Sequence, residues 1–277
     1  MRLFPQSLVI GVVATGVLLG AGIAPASAQE DFRSSDRDRP TRVEDAHPIK
    51  FREWEIEAGA RGTLREGAER GVHGVLELKT GLFPNAQVGV EVETGWSRAA
   101  PGTASASGLE SFGAHVLYGF NRETPSRPAV SLRIDVAGPG AGSLGNEDAQ
   151  FGVLGIVTRS VGRLRVHLNG GLTTASATDG GDFWRTGIGG DYPIGLFSRV
   201  ILFDVFAEIP RGGGDTRLWV DAGTRVQLSN WTVLDFGVAT RVDAWQDGSA
   251  NVEVVFGLSR VFGISPGVDP YPNPSIR

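Results

Sequence analysis

Few side chains of this sequence could perform chemistry, and those that could lie an even number of residues apart. Ser111 and His115 stand four residues apart, and His167 and Asn169 stand two apart. A serine hydrolase needs its hydroxyl within hydrogen-bonding distance of an imidazole that a third polar group orients. Positions i and i+4 of one strand are about 13 Å apart, which is too far for that contact without a partner from another strand. We therefore predict that the protein is not an enzyme and has no catalytic residues. A lipid hydrolase that uses His115 or His167 is the weaker alternative.

Carboxylates that could bind a cation also alternate along the chain. Glu53, Glu55 and Glu57 share one strand face, and so do Glu91 and Glu93. Hard cations prefer oxygen ligands, but the spacing of a calcium-binding loop is missing, and alternating glutamate is common on a solvated strand face. The chain has no cysteine that could bind a metal. We predict neither a metal nor a cofactor.

The charged residues fall into two sets that a closed barrel would place on opposite walls. The early segments carry glutamates, whereas the seventh carries Arg163, Arg165 and His167. Opposed rows of charge would create a field across the lumen and orient polar solutes. The same charges could instead pair with their neighbours and brace the wall. The predicted residues of a lumen constriction are Glu77, Glu91, Glu93, Arg133, Arg163, Arg165, His167 and Arg185.

The elements that must position these residues are strands. Val88, Val90 and Val92 alternate with Glu91 and Glu93, and a period of two is the signature of a strand with one apolar face. Twelve such segments follow one another, and each is about long enough to cross a bilayer as a tilted strand. Their approximate bounds are 52–61, 72–82, 86–97, 109–120, 129–138, 149–158, 163–173, 183–192, 199–209, 216–227, 232–242 and 251–262.

The connections and the aromatic residues indicate which face points outward. Long links rich in small and polar residues tend to alternate with shorter ones, as outer loops and periplasmic turns do in outer-membrane barrels. Trp96 and Tyr118 lie near strand ends, where lipid headgroups would be. A barrel of twelve strands is too wide for side chains alone to fill, so an apolar interior would need a plug or a lipid ligand. We predict an all-β fold: a single transmembrane antiparallel up-and-down β-barrel of about twelve strands, with short periplasmic turns, longer outer loops and Val90 facing lipid.

The two ends of the chain differ from the middle. Arg2, an apolar run at 8–23 and Ala-Ser-Ala at 26–28 are typical of a secretory signal peptide. We expect a signal peptide at 1–28, cleaved near Ala28, and a polar periplasmic leader at 29–50 that is mobile. The barrel then occupies 51–263, and a proline-rich C-terminal tail occupies 264–277. The predicted location is the outer membrane of a bacterial cell.

Composition limits the partners. The formal charge is −5 and no basic block is present, so the chain lacks the electrostatic signature of a nucleic-acid-binding protein. The expected partners are outer-membrane lipid, the barrel-insertion machinery and a small-molecule solute.

Several stretches carry a family resemblance: LELKTGLFPNAQVGVEVETGW, FGAHVLYGF, PAVSLRIDVAGPGAG, RVHLNGGLTTA and GLSRVFGI. Together they resemble a bacterial outer-membrane transporter family named for the MetA pathway of phenol degradation. The likeness spans residues 52–264. It implies an outer-membrane barrel, and its name adds aromatic compounds as candidate solutes.

The function predicted from the sequence is a porin-like outer-membrane channel that passes small solutes, aromatic or other small organic compounds among them, by passive diffusion through a charged lumen. The alternative is a closed structural or surface-interaction barrel that displays its outer loops.

Overall fold

The computed structural model describes residues 33–65, 70–98, 105–175, 181–195, 199–243 and 251–263. The predicted signal peptide, the first four residues of the leader and the proline-rich tail lie outside these ranges. Within them, no helix is long and apolar enough to cross a membrane.

The period-two segments form twelve long strands, together with one strand of two residues, β6, that extends the edge of β4. Their apolar and polar residues alternate because successive side chains of a strand point to opposite faces. The bounds are β1 Glu53–Arg65, β2 Arg70–Phe83, β3 Ala86–Arg98, β4 Ser105–Asn121, β5 Ala129–Gly138, β6 Ala141–Gly142, β7 Gln150–Val161, β8 Leu164–Thr174, β9 Phe183–Pro193, β10 Arg199–Pro210, β11 Arg217–Ser229, β12 Thr232–Arg241 and β13 Asn251–Gly263.

The sheet closes on itself. β1 pairs antiparallel with β13, from Glu53 opposite Gly263 to Arg65 opposite Asn251, and consecutive long strands pair around the rest of the ring. Closure satisfies the backbone groups of every long strand, which is required in lipid because no water is available to bond an open edge. The predicted twelve-strand antiparallel barrel is confirmed.

The apolar faces point outward, also as predicted. Val90 is 41% exposed and Phe203 is 47% exposed, whereas Glu57, on the opposite face of its strand, is 1% exposed. Similar exposed valine, leucine, isoleucine and phenylalanine side chains lie on the outer face of most of the long strands. A continuous apolar exterior around a polar interior is the arrangement of a membrane barrel.

The barrel has two rims that differ in their connections. We call the rim that holds the first residue of β1 and the last residue of β13 the inner rim, and the opposite one the outer rim. Two-residue turns at 84–85, 162–163 and 230–231 lie at the inner rim. The inner rim therefore corresponds to the predicted periplasmic side.

A cation on the outer face should reveal which strand positions lie deep in the membrane. Val205 is exposed in the middle of β10, and Leu228 is exposed one residue from the inner end of β11. We expect Val205→Arg to lower the free energy of unfolding by about 2–4 kcal/mol and the matched Leu228→Arg by about 0–1 kcal/mol. Denaturant unfolding in phospholipid vesicles measures both. Equal costs at the two depths would contradict a lipid-facing exterior.

Candidate functional site

The leader lies inside the barrel. Residues 39–46 are buried without interruption, and Val43 is 1% exposed. Arg33 Nη2 donates to the Arg163 carbonyl at the inner rim (3.0 Å). The chain then enters the lumen and returns to the same rim, where the Ile49 amide donates to Gln87 Oε1 (2.9 Å). The prediction of a mobile leader was wrong for residues 33–50, because the wall offers partners for both its charged and its apolar groups.

Two small apolar clusters of the wall receive the leader. Val43 packs into one and Ala46 into the other. Burying a side chain such as valine contributes about 1.5–3 kcal/mol, so these contacts help to keep the leader seated. The wall residues are Phe206, Trp219 and Ala239 around Val43, and Leu117, Ala129, Leu154 and Ile156 around Ala46.

Glycines shape the wall where the leader approaches it most closely. A Cβ atom at Gly237 would lie 2.6 Å from Pro40 Cβ, and one at Gly223 would lie 2.6 Å from Pro40 Cγ. A Cβ atom at Gly59 would lie 2.8 Å from Arg39 Cδ. These separations are shorter than real contacts between carbon atoms, so even alanine would push against the leader. Strands β1, β11 and β12 thus form a seat for residues 39–40.

Arg42 is the main electrostatic contact between the leader and one side of the wall. Its Nη1 atom lies 2.8 Å from Asp221 Oδ1 on β11, and its Nη2 atom lies 2.5 Å from Glu253 Oε2 on β13. The guanidinium carbon lies 4.0 Å from the centre of the Trp219 ring. Removing one partner of a buried ion pair leaves the other charge uncompensated and costs about 3–5 kcal/mol.

Wall side chains also satisfy the backbone of the leader. Asp204 Oδ2 accepts from the amides of both Arg42 and Val43 at 2.7 Å. Asn169 Oδ1 accepts from the Glu44 amide at 2.9 Å, and Thr158 Oγ1 accepts in the same way from the Ala46 amide. Buried backbone donors need such acceptors. The polar lumen therefore replaces the pairing that a sheet would provide.

A group of carboxylates around Lys79 has the geometry of a cation site. Oxygen atoms of Asp36, Glu55 and Glu57 all lie within 4.8 Å of one another. The ammonium group of Lys79 lies among them, 2.6 Å from Glu57 Oε1, 2.8 Å from Asp36 Oδ1 and 3.4 Å from Glu55 Oε2. Lysine supplies the positive charge that a metal ion would bring. Lys79 of β2 thus joins Asp36 of the leader to two of the alternating glutamates of β1.

The predicted basic row is divided in the structure. Arg165 Nε donates to Asp191 Oδ2 (2.6 Å), and His167 Nε2 lies 3.1 Å from the same oxygen, both inside the lumen. Arg163 lies in the turn before β8 and donates to the Pro193 carbonyl at the inner rim (2.9 Å). The prediction that Arg163 faces the lumen was wrong, because β8 begins at Leu164, one residue later than the sequence pattern suggested.

The two glutamates of β3 face the lumen as expected. Glu91 Oε1 lies 3.8 Å from Arg37 Nη2 of the leader. Glu93 Oε2 accepts from the Ser111 hydroxyl (2.8 Å). Ser111 therefore donates to a carboxylate rather than to an imidazole, so the structure gives a Ser111–His115 pair no support.

Glu77 stands directly opposite Glu91 in the β2–β3 register, beside the buried imidazole of His115. Glu77 Oε1 is 3.3 Å from His115 Nδ1, and the amide nitrogen of Gln87 is 3.1 Å from His115 Nε2. The imidazole is 2% exposed. It contributes to a packed polar network and not to an open constriction.

The last two predicted residues, both arginines, differ in their pairing. Arg133 lies 3.0 Å from Glu44 Oε1 of the leader through Nη1 and 2.8 Å from Asp135 Oδ1 through Nε. Among the residues that the structure describes, Arg185 has no carboxylate within 4.0 Å, and its Nε atom is buried without a hydrogen bond. Its guanidinium carbon lies 5.2 Å from the centre of the Phe206 ring.

Sequence reasoning missed the leader as part of the site, although one signal was available. In β10, Val200, Leu202 and Phe206 point inward between the outward-facing apolar residues. Three apolar residues on the inward face, with only Asp204 among them, indicate that this part of the face is covered as well. This run therefore indicated that something fills the lumen beside β10.

Comparisons with known proteins identify the fold. No protein-family model matches the chain, and no curated protein matches it. A crystal structure of an outer-membrane channel from Pseudomonas putida F1 matches with a TM-score of 0.64 at 11% identity, over 79% of this chain and 98% of that one. The chain shares the fold of that channel. The name of the phenol-degradation family is not confirmed by these matches.

Two further solved structures show weaker likeness. The KdgM porin matches with a TM-score of 0.47 at 13% identity, over 74% of this chain and 98% of its own. The β-domain of the Bordetella autotransporter BrkA also matches with a TM-score of 0.47, at 14% identity, over 76% of this chain and 98% of its own.

A side chain at the glycine seat should displace the leader. Gly237→Ala places a methyl group against Pro40, and overpacking of this kind costs about 1–3 kcal/mol. We expect trypsin to cleave after Arg42 at least about fivefold faster, since the protease reaches this bond only when the leader has left the lumen. Gly62→Ala is the matched control, because a Cβ atom there has no neighbour within 4 Å. Equal cleavage rates in the two variants would rule out the seat.

Loss of the Arg42 ion pairs should loosen the leader further. In Arg42→Gln, Asp221 and Glu253 lose their shared partner, so we expect the amides of Val43 and Ala46 to exchange hydrogen at least about a hundredfold faster. Lys50→Gln is the control, since the Lys50 side chain is 63% exposed at the inner rim. Hydrogen–deuterium exchange of the refolded protein measures both. Unchanged protection in Arg42→Gln would show that the ion pairs do not hold the leader.

Proposed function

We propose that the protein is an outer-membrane channel for small solutes and that the leader closes its lumen until it is displaced. The observation that carries this proposal is the span of the leader across the barrel. Glu44 contacts Arg133 on β5, and Arg42 contacts Asp221 on β11. These strands stand five places apart in a ring of twelve, so the leader connects nearly opposite walls.

Passage of a solute requires the leader to move. Side chains that line the lumen at the level of the leader, Asp191 and Arg225 among them, are 0% exposed. A solute cannot pass where water does not reach. Passive diffusion through the charged lumen therefore takes place only after the leader has left its seat. The opposed charges of the wall are then accessible to the solute.

The exterior and the fold support the location and the class of function. The outward apolar face suits lipid, and the similar structure from Pseudomonas putida F1 is described as an outer-membrane channel. The outer membrane is the location that we propose. Small organic compounds, aromatic ones included, are the candidate solutes that follow from the family resemblance.

A closed structural barrel is the second candidate, and one observation favours it. Nearly every charge of the leader has an opposite charge in the wall, as Asp36 has in Lys79 and Arg39 has in Glu57. A network so fully paired would also suit a leader that never leaves. The two candidates differ in whether displacement of the leader produces conductance.

A reversible crosslink separates them. The chain has no cysteine, and a Cβ atom at Gly189 would lie 3.1 Å from Val43 Cβ, close to the separation of about 3.5–4.5 Å found in disulfides. We expect the double variant Val43→Cys, Gly189→Cys to show no conductance steps in planar bilayers when oxidised and to conduct after reduction. The single variant Gly189→Cys controls for crowding at this position.

Two results would contradict the proposal. Equal conductance of the oxidised and reduced forms would show that the leader does not close the channel. Silence of the reduced form, maintained when Gly237→Ala loosens the leader, would favour the closed structural barrel.

A further inference from the structure

Three charged residues lie side by side near the outer ends of β9, β10 and β11. Glu208 stands directly opposite Arg185 in the β9–β10 register and directly opposite Arg217 in the β10–β11 register. The row thus contains two guanidinium groups and one carboxylate. Glu208 Oε2 lies 3.1 Å from Arg217 Nη1. That pair neutralises itself and leaves the charge of Arg185 uncompensated within the row.

Arg185 differs from the other arginines of the lumen. Among the described residues, no carboxylate lies within 4.0 Å of it, and its Nε atom is buried without an acceptor. The nearby leader carboxylate, Asp38, is engaged by Arg61 at 3.2 Å. A buried donor without a partner is costly, so this position favours binding of an acceptor. Arginines of the leader and wall that do have a carboxylate partner are Arg37, Arg39, Arg42, Arg61, Arg133, Arg165 and Arg225.

The position of Arg185 leaves it accessible from the outer side. Gly187, the next inward residue of β9 toward the inner rim, meets the leader, since a Cβ atom there would lie 2.7 Å from Val43 Cγ2. Arg185 therefore lies one inward-facing position farther out than the contact with Val43, beside Arg37 and Asp38 of the seated leader. In the same row, the side chain of Arg217 is 38% exposed and that of Glu208 is 19% exposed, so water reaches this level.

We propose that Arg185 binds the carboxylate of a small organic acid entering from the outer side, where Arg185 meets the seated leader. The planar guanidinium presents parallel donors that match both oxygens of a carboxylate, and the Phe206 ring supports it from one side. As a statement about the solute, this inference rests on the proposed channel function. The binding step does not require the leader to move.

Saturation-transfer NMR on the refolded mature protein tests the binding directly, with propionate as the probe and uncharged propionamide as the comparison. We expect saturable binding of propionate, no comparable binding of propionamide, and an affinity for propionate that falls about tenfold or more in Arg185→Gln. Arg211→Gln is the matched control, because Arg211 is paired with Asp182 outside this row, and it should bind propionate as the wild type does.

Each result decides the inference. Wild-type affinity in Arg185→Gln, equal binding of propionamide, or an equal loss in Arg211→Gln would overturn it. If Arg185→Gln lacks the heat-modifiable band of a folded barrel, Arg185→Lys replaces it, with an expected loss of about threefold to fivefold because the charge stays and the paired donors go. Propionate binding without conductance would reject only the channel, whereas conductance without propionate binding would reject only the carboxylate site.

Discussion

The width of a twelve-strand ring is the constraint on which the rest of this structure depends. Such a ring is too wide for its own inward side chains to meet across the middle, so the interior must hold water or another part of the chain. Here it holds the leader. Val43, for example, is 1% exposed although it belongs to no strand. The wall is then shaped around this occupant, by glycines where the backbones approach and by acids and bases where charges meet.

The chemistry of these contacts suits a segment that can occupy two positions. An apolar seat would expose a large hydrophobic surface once it was vacated. A seat built mainly from carboxylates, guanidinium groups and hydroxyls can exchange its partner for water, since the hydration of charges offsets much of what the ion pairs contribute. The contacts of Arg42 with Asp221 and Glu253 are strong while they are dry, and each group is well hydrated when they separate. The two small apolar clusters add affinity without making the empty lumen unstable.

The sequence was sufficient to predict the barrel, because alternation is a local property. The alternation around Val90 and Glu91 shows which side chain points outward and which points inward. Repeated along the chain, it predicts the number of strands and the closed sheet. The placement of the leader was not predictable in this way. Its composition is polar and proline-containing, which is typical of disorder, and only the complementary wall gives it a fixed place. Arg163 shows the other limit, since a shift of one residue at a turn moves a side chain from the lumen to the rim.

The leader enters and leaves through the same rim, and this has a topological consequence. Because Arg33 and Ile49 both lie at that rim, residues 33–49 form a loop whose two described ends lie at one rim, and this segment can insert or withdraw as a loop. Cylinder and occupant can therefore assemble in sequence, the cylinder first. Traction that extracts the loop must act from the side on which both of its stems lie. A solute on the far side can only push against the tip of the loop, so work done on the loop is directional.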